Sequence, residues 1–120
     1  MLSFDTSEHQ GVHLITFEET GETPDSRQTA QRQGLYQTIE SLNDLRFAFD
    51  LGAVRYLTSS DIGFLITLRR RIGARQGRVV IFAIDDYLID VFKTMRLHTL
   101  FEFARDMREA LARLSVPVAS

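Results

Sequence analysis

The chain has 120 residues, of which 44% are hydrophobic and 25% charged, with nine Phe and three Tyr to build a core. That is the size and make-up of one globular domain, expected over 1–114 with a frayed tail over 115–120. Fourteen basic against sixteen acidic residues and no cysteine exclude a domain-wide positive field for nucleic acid, a disulfide framework, thiolate metal sites and a Cys nucleophile.

Met1–Thr6 and Gly11–Glu18 read as two short strands joined by a turn over Ser7–Gly11. In the second strand, Val12 and Leu14 are followed by Ile15 and Phe17, a break in simple alternation. Thr20–Ser26 has the Gly, Pro and small polar residues of a loop. Gln28–Asn43 carries a thin apolar stripe, Leu35, Ile39 and Leu42, which predicts a surface helix covering one side of a sheet. Arg46–Leu51 alternates Phe47, Phe49 and Leu51 and predicts a strand, with Asp50 near its end.

Asp61 to Arg75 follows as a long helix, with Ser59 or Ser60 suited to cap it and Asp61 placed at the positive end of its dipole. Arg78–Ile84 is almost unbroken apolar sequence, the mark of a strand buried on both faces. Asp85–Met95 predicts a helix, Leu100–Ala104 a last short strand and Asp106–Leu114 a closing helix. Repeated strand–helix–strand units imply parallel neighbours in an α/β fold. No apolar run approaches the roughly 18–20 residues of a membrane span, and no leader opens the chain, so a soluble cytoplasmic protein is expected.

Chemistry has few footholds. His9, His13 and His98 fall in turn, strand and loop, away from any carboxylate cluster, so no metal site is expected. Phosphate-loop, dinucleotide and nucleophile-elbow motifs are absent, and no cofactor is implied. Arg69, Arg70 and Arg71, with Arg75 and Arg78, read as a solvated helix face rather than an anion site. Asp50 invites a receiver-domain reading. That reading lacks the acidic pair after the first strand and a lysine near the last strands, since Lys93 lies within a helix. The remaining segment of interest is Thr58-Ser59-Ser60-Asp61-Ile62-Gly63. Small hydroxylated residues there occupy the turn before a helix, which suits either plain capping or a phosphorylation switch.

From about Phe47 to Leu114 the chain resembles the STAS domain family of anti-sigma-factor antagonists. FAFDLGAVRYL resembles the family's V-V-L-D-L-S-x-V-x-F-I strand, and TSSDIG stands where the family has D-S-S-G-L-G. RVVIFAI resembles the next buried strand, and VFKTMRLHTLFEF the V-x-x-x-x-x-x-x-G-L-x-x-x-F segment. The resemblance implies a mixed β-sheet with helices packed mainly on one face. It implies a non-enzymatic interaction module in bacterial signalling and transcription regulation.

In family members that act as switches, the first serine of D-S-S-G is phosphorylated by a kinase that is itself the anti-sigma factor, and a serine phosphatase resets it. Ser59 corresponds to that serine, with Ser60 and Thr58 as alternatives. Thr58 replaces the family's Asp, and Asp61 its Gly, placing a fixed charge near the switch. Thr58, Ser59, Ser60, Asp61 and Ile62 are expected to form the partner surface. Gly21 and Asp25 join them as loose counterparts of the family's G-x-L-D segment. The other reading with the same fold is a constitutive scaffold subunit of a larger signalling assembly. A hydrolase using Ser59 as nucleophile lacks a nearby His base.

Overall fold

The computed structural model describes residues 2–20 and 26–115. Its elements follow the expected order: β1 (Leu2–His9), β2 (Val12–Glu19), α1 (Ser26–Ser41), β3 (Arg46–Ala53), α2 (Ser59–Ala74), β4 (Arg78–Phe82), α3 (Asp86–Thr94), β5 (Glu102–Ala104) and α4 (Met107–Ser115). The five strands form one sheet in the order β1-β2-β3-β4-β5, with β1 antiparallel to β2 and the other neighbours parallel. The expected α/β mixed sheet is therefore present.

The first strand runs further than composition suggests. Ser7 pairs with Leu14 and His9 with Val12, which leaves only Gln10 and Gly11 in the turn. Both have positive φ, 53° and 82°, the backbone a two-residue hairpin needs to match the strand twist. The polar end of β1 is tolerated because β1 is an edge strand whose residues from Asp5 onward are exposed.

The break in β2 has a simple cause: both faces of that strand are covered. Ile15 and Phe17 join Phe47, Phe49, Leu51 and Ile81 in the larger core, under α1, α2 and α3. Val12 and Leu14 join Ala48, Val80 and Phe82 in a smaller core beneath Ala110 and Leu114 of α4. Three helices thus lie on one face and one on the other. Strand β4 ends at Phe82, not Ile84, because Ala83 turns out of the sheet with φ 59°. Strand β5 begins at Glu102, after Leu100 has entered a turn closed by its N–H on the Leu97 carbonyl at 2.9 Å. Among the described residues, no helix is long and apolar enough to cross a membrane.

Candidate functional site

The turn between β3 and α2 is held from below before its hydroxyls are considered. Val54 and Leu57 are buried, and Val54 N–H closes on the Leu51 carbonyl at 3.1 Å. The Glu19 carboxylate, at the end of β2, accepts from the backbone N–H groups of Arg55 and Tyr56. The Arg55 side chain lies 3.6 Å from Asp85, joining this loop to the start of α3.

The cap of α2 is Thr58, not Ser59 or Ser60. Its extended backbone (φ −79°, ψ 166°) precedes the first helical turn, and its Oγ1 accepts from Asp61 N–H at 3.1 Å. Asp61 Oδ2 in return accepts from Thr58 N–H at 3.0 Å, completing a reciprocal capping box. The T-x-x-D spacing ahead of an apolar run is a legible signal for this arrangement, so the helix starts two residues earlier than periodicity alone suggests.

Asp61 is not a charge on the exposed turn. It is the one buried charged residue among those described, with 2% exposure. Its Oδ1 accepts from Leu2 N–H at 3.0 Å and lies 3.6 Å from Arg32 Nη2. Burial pushes the carboxyl pKa up, but the hydrogen bonds from Thr58 and Leu2 outweigh it and hold the group below its ordinary 3.8. Ile62 is also buried, so Asp61 and Ile62 support the turn from inside and present no docking surface in this structure.

Ser59 and Ser60 remain, exposed as the first two residues of α2. Neither hydroxyl is hydrogen-bonded within the described residues. Gly63 and Tyr56 are exposed beside them, Tyr56 at 63%. The helix start offers its positive dipole end and unpaired N–H groups beside these hydroxyls. Gly21 and Asp25, the other expected surface residues, lie outside the described residues, as do 116–120 of the expected tail.

Arg32 is the residue that local pattern did not single out. Its Cζ stacks 4.1 Å from the Phe64 ring centroid, and its Nε and Nη2 are buried without hydrogen-bond partners. The arginines of α2 are less solvated than expected. Arg69 donates to the Leu100 carbonyl at 2.7 Å, and Arg71 to Glu40 at 2.8 Å while stacking on Tyr36. Arg75 donates to the Ile39 and Glu40 carbonyls at the end of α1, both at 2.7 Å. Arg70 alone of the Arg69–Arg71 run is exposed, the other two being half-buried. Asp50 is occupied locally, accepting from Gly52 N–H at 2.8 Å.

Fold and site together define an α/β domain that presents two free serine hydroxyls on a rigidly capped helix start. A family model for the STAS domain matches residues 23–110, and the chain belongs to that family. The match begins well before Phe47 and so takes in α1, which the motif resemblance left out.

No curated protein sequence matches the chain. Solved structures do. An anti-sigma-factor antagonist (STAS) domain protein from Planctomyces limnophilus is 17% identical, with a TM-score of 0.78 over 94% of this chain and 98% of its own. A serine-to-glutamate variant of RsbS from Moorella thermoacetica is 16% identical, with a TM-score of 0.79 over 93% of this chain and 94% of that one. The phosphorylated form of the Bacillus cell fate determinant SpoIIAA is 18% identical, with a TM-score of 0.68 over 93% and 99%. At these identities the likeness is one of fold.

Proposed function

We propose that this chain is a non-enzymatic protein-interaction module of bacterial signalling, similar to an anti-sigma-factor antagonist, whose docking is controlled by phosphorylation of Ser59. The partner is a kinase-type anti-sigma factor or related regulator in the cytoplasm, and a serine phosphatase resets the state. The observation that carries this reading is the free, exposed Ser59 hydroxyl on the first residue of α2. Two of the similar structures are described as a phosphorylated form and a serine-to-glutamate variant, which supports the same reading.

Physical chemistry favours Ser59 and Ser60 over Thr58 as acceptors. The Thr58 oxygen holds the cap, so a phosphoryl group there would remove the bond that starts the helix. On Ser59, about two negative charges would meet the positive end of the α2 dipole and leave the cap intact. The Asp61 carboxylate does not oppose this from the surface, because Thr58, Leu2 and Arg32 engage it on the inner side. The fold tolerates the modification while the docking surface gains negative charge.

Phosphopeptide mapping of the protein isolated from growing and stressed cells, with co-purifying proteins identified together, tests the proposal. Condition-dependent phosphate on Ser59 beside a kinase-type partner is the expected result. Ser59→Ala should then retain the partner constitutively and Ser59→Glu should lose it. An unmodified TSSDIG peptide under every condition, with a partner that binds both variants equally, would leave a constitutive scaffold instead.

A further inference from the structure

Behind α1, on the side away from Ser59, a cavity of about 400 Å³ opens between the β1–β2 hairpin and the helix. Its inner wall is apolar and aromatic: Phe4, Ile15, Leu35 and Phe47. Its lip is polar, with Thr38 of α1 and with Glu8 and His13, which face each other across the hairpin. Glu8 is the one carboxylate of the lining, and no Lys or Arg lines it. Volume and lining fall within the range of small-molecule sites.

A second cavity, of about 420 Å³, lies near Arg46, Arg75 and Arg78, but its guanidiniums are already engaged. Arg46 bonds Asp44 and the Leu114 carbonyl, Arg78 bonds Glu102 and the Arg113 carbonyl, and Arg75 bonds the end of α1. At the lip of the hairpin cavity Thr38 donates to the Gly34 carbonyl at 2.9 Å, but the Glu8 carboxylate has no ion-pair partner among the described residues.

The walls of the hairpin cavity reach the switch turn. The Phe4 ring is 5.8 Å from the Phe64 ring, and Phe64 is the residue on which Arg32 stacks. Arg32 in turn lies 3.6 Å from Asp61, the inner half of the α2 cap. Leu35 and Thr38 belong to α1, the helix that carries Arg32 and also Tyr36, whose ring is 6.1 Å from Phe64. Both the strand wall and the helix wall therefore converge on Phe64.

We infer that this cavity binds a small planar aromatic cation, and that its occupancy is read at the start of α2 through Phe4, Phe64 and Arg32. An aromatic ring matches the inner wall, and a protonated amine matches the Glu8 carboxylate at the lip. The binding site stands by itself, whereas the coupling rests on the Ser59 switch proposed above. A ligand moves such a switch only by binding one of its two forms more tightly.

Tryptamine is the probe, titrated into the full chain and followed by amide NMR, with indole-3-acetate as its charge-reversed counterpart. Tryptamine should shift Phe4, His13, Leu35 and Thr38 saturably and indole-3-acetate should bind more weakly. Glu8→Gln should weaken tryptamine about threefold, as an exposed ion pair does. Thr38→Trp, at an exposed helix position, should fill the cavity and abolish binding while leaving the circular dichroism unchanged. No saturable shift, or equal binding of the two indoles, overturns the site.

The coupling is reciprocal, so tryptamine should bind Ser59→Glu and the unmodified chain with affinities about fivefold apart. Equal affinities overturn the coupling. Because these titrations need neither kinase nor partner, a missing Ser59 phosphate would leave the binding site standing. Failed binding would likewise leave the switch standing.

Discussion

Replacing Asp61 by Ala should be among the most costly single changes in this domain. The side chain performs three tasks at once: it returns the capping bond to Thr58 N–H, accepts from Leu2 N–H and faces Arg32. Losing the cap costs about 1 kcal/mol. Leaving the Leu2 N–H buried and unsatisfied costs about 1–3 kcal/mol. Losing the counter-charge adds about 1 kcal/mol, less than for a fully buried pair, because the Arg32 side chain keeps 17% exposure and the contact is 3.6 Å. Together these give about 3–5 kcal/mol, or a fall in Tm of about 12–20 °C for a domain of this size.

Asp61→Asn keeps the shape and one acceptor oxygen and should cost roughly half as much. Arg32→Met removes two buried nitrogens that lack hydrogen bonds but leaves the Asp61 carboxylate without its counter-charge, and should cost about 1 kcal/mol by itself. Urea titrations of the three variants and of the Arg32→Met/Asp61→Asn pair supply the measurement. An Asp61→Ala cost below about 1 kcal/mol would mean that the carboxylate is an ordinary surface charge, and the account of the turn would be wrong.

Other expectations follow from the same contacts. Because the folded-state pKa of Asp61 is depressed, its stabilisation is fully present above its ordinary 3.8 and lost as pH falls through the folded value. Urea midpoints from neutral pH into this acid range should therefore fall less steeply for Asp61→Asn than for the parent. Asp44, also held low by its bond to Arg46, contributes slope of the same sign. Thr58→Ala should cost about 1 kcal/mol and Ser59→Ala under about 0.5 kcal/mol, read as thermal midpoints, since only Thr58 is the cap. A methyl group on Gly77 would lie 2.5 Å from Ile72 Cγ2 and 2.7 Å from the Leu45 carbonyl oxygen. Gly77→Ala should accordingly destabilise by about 2 kcal/mol or more in denaturant titrations. Gly34→Ala, in an open helical position, should stabilise by about 0.5–1 kcal/mol in the same assay.

The order of elements was legible because hydrophobic period reports how each segment is buried, and burial here follows local pattern closely. Phe47, Phe49 and Leu51 alternate as strand residues do, and Leu88 and Phe92 recur as helix residues do. The serine turn was legible because its residue types and its place before an apolar helix are local features. Sequence reasoning placed the cap one or two residues late, although the T-x-x-D spacing was there to be read.

Tertiary structure alone decided the rest. The doubled apolar run of β2 makes sense only once α4 covers the face opposite α1. Asp61 looks like a surface charge until Leu2, 59 residues away in sequence, donates to it from the edge of β1. Glu19 and Arg32 acquire their roles the same way, from β2 and α1 reaching under one turn. Periodicity and propensity act over one or two turns of chain, whereas burial of a charge is set by which distant donors the packed sheet and helices bring within hydrogen-bond reach.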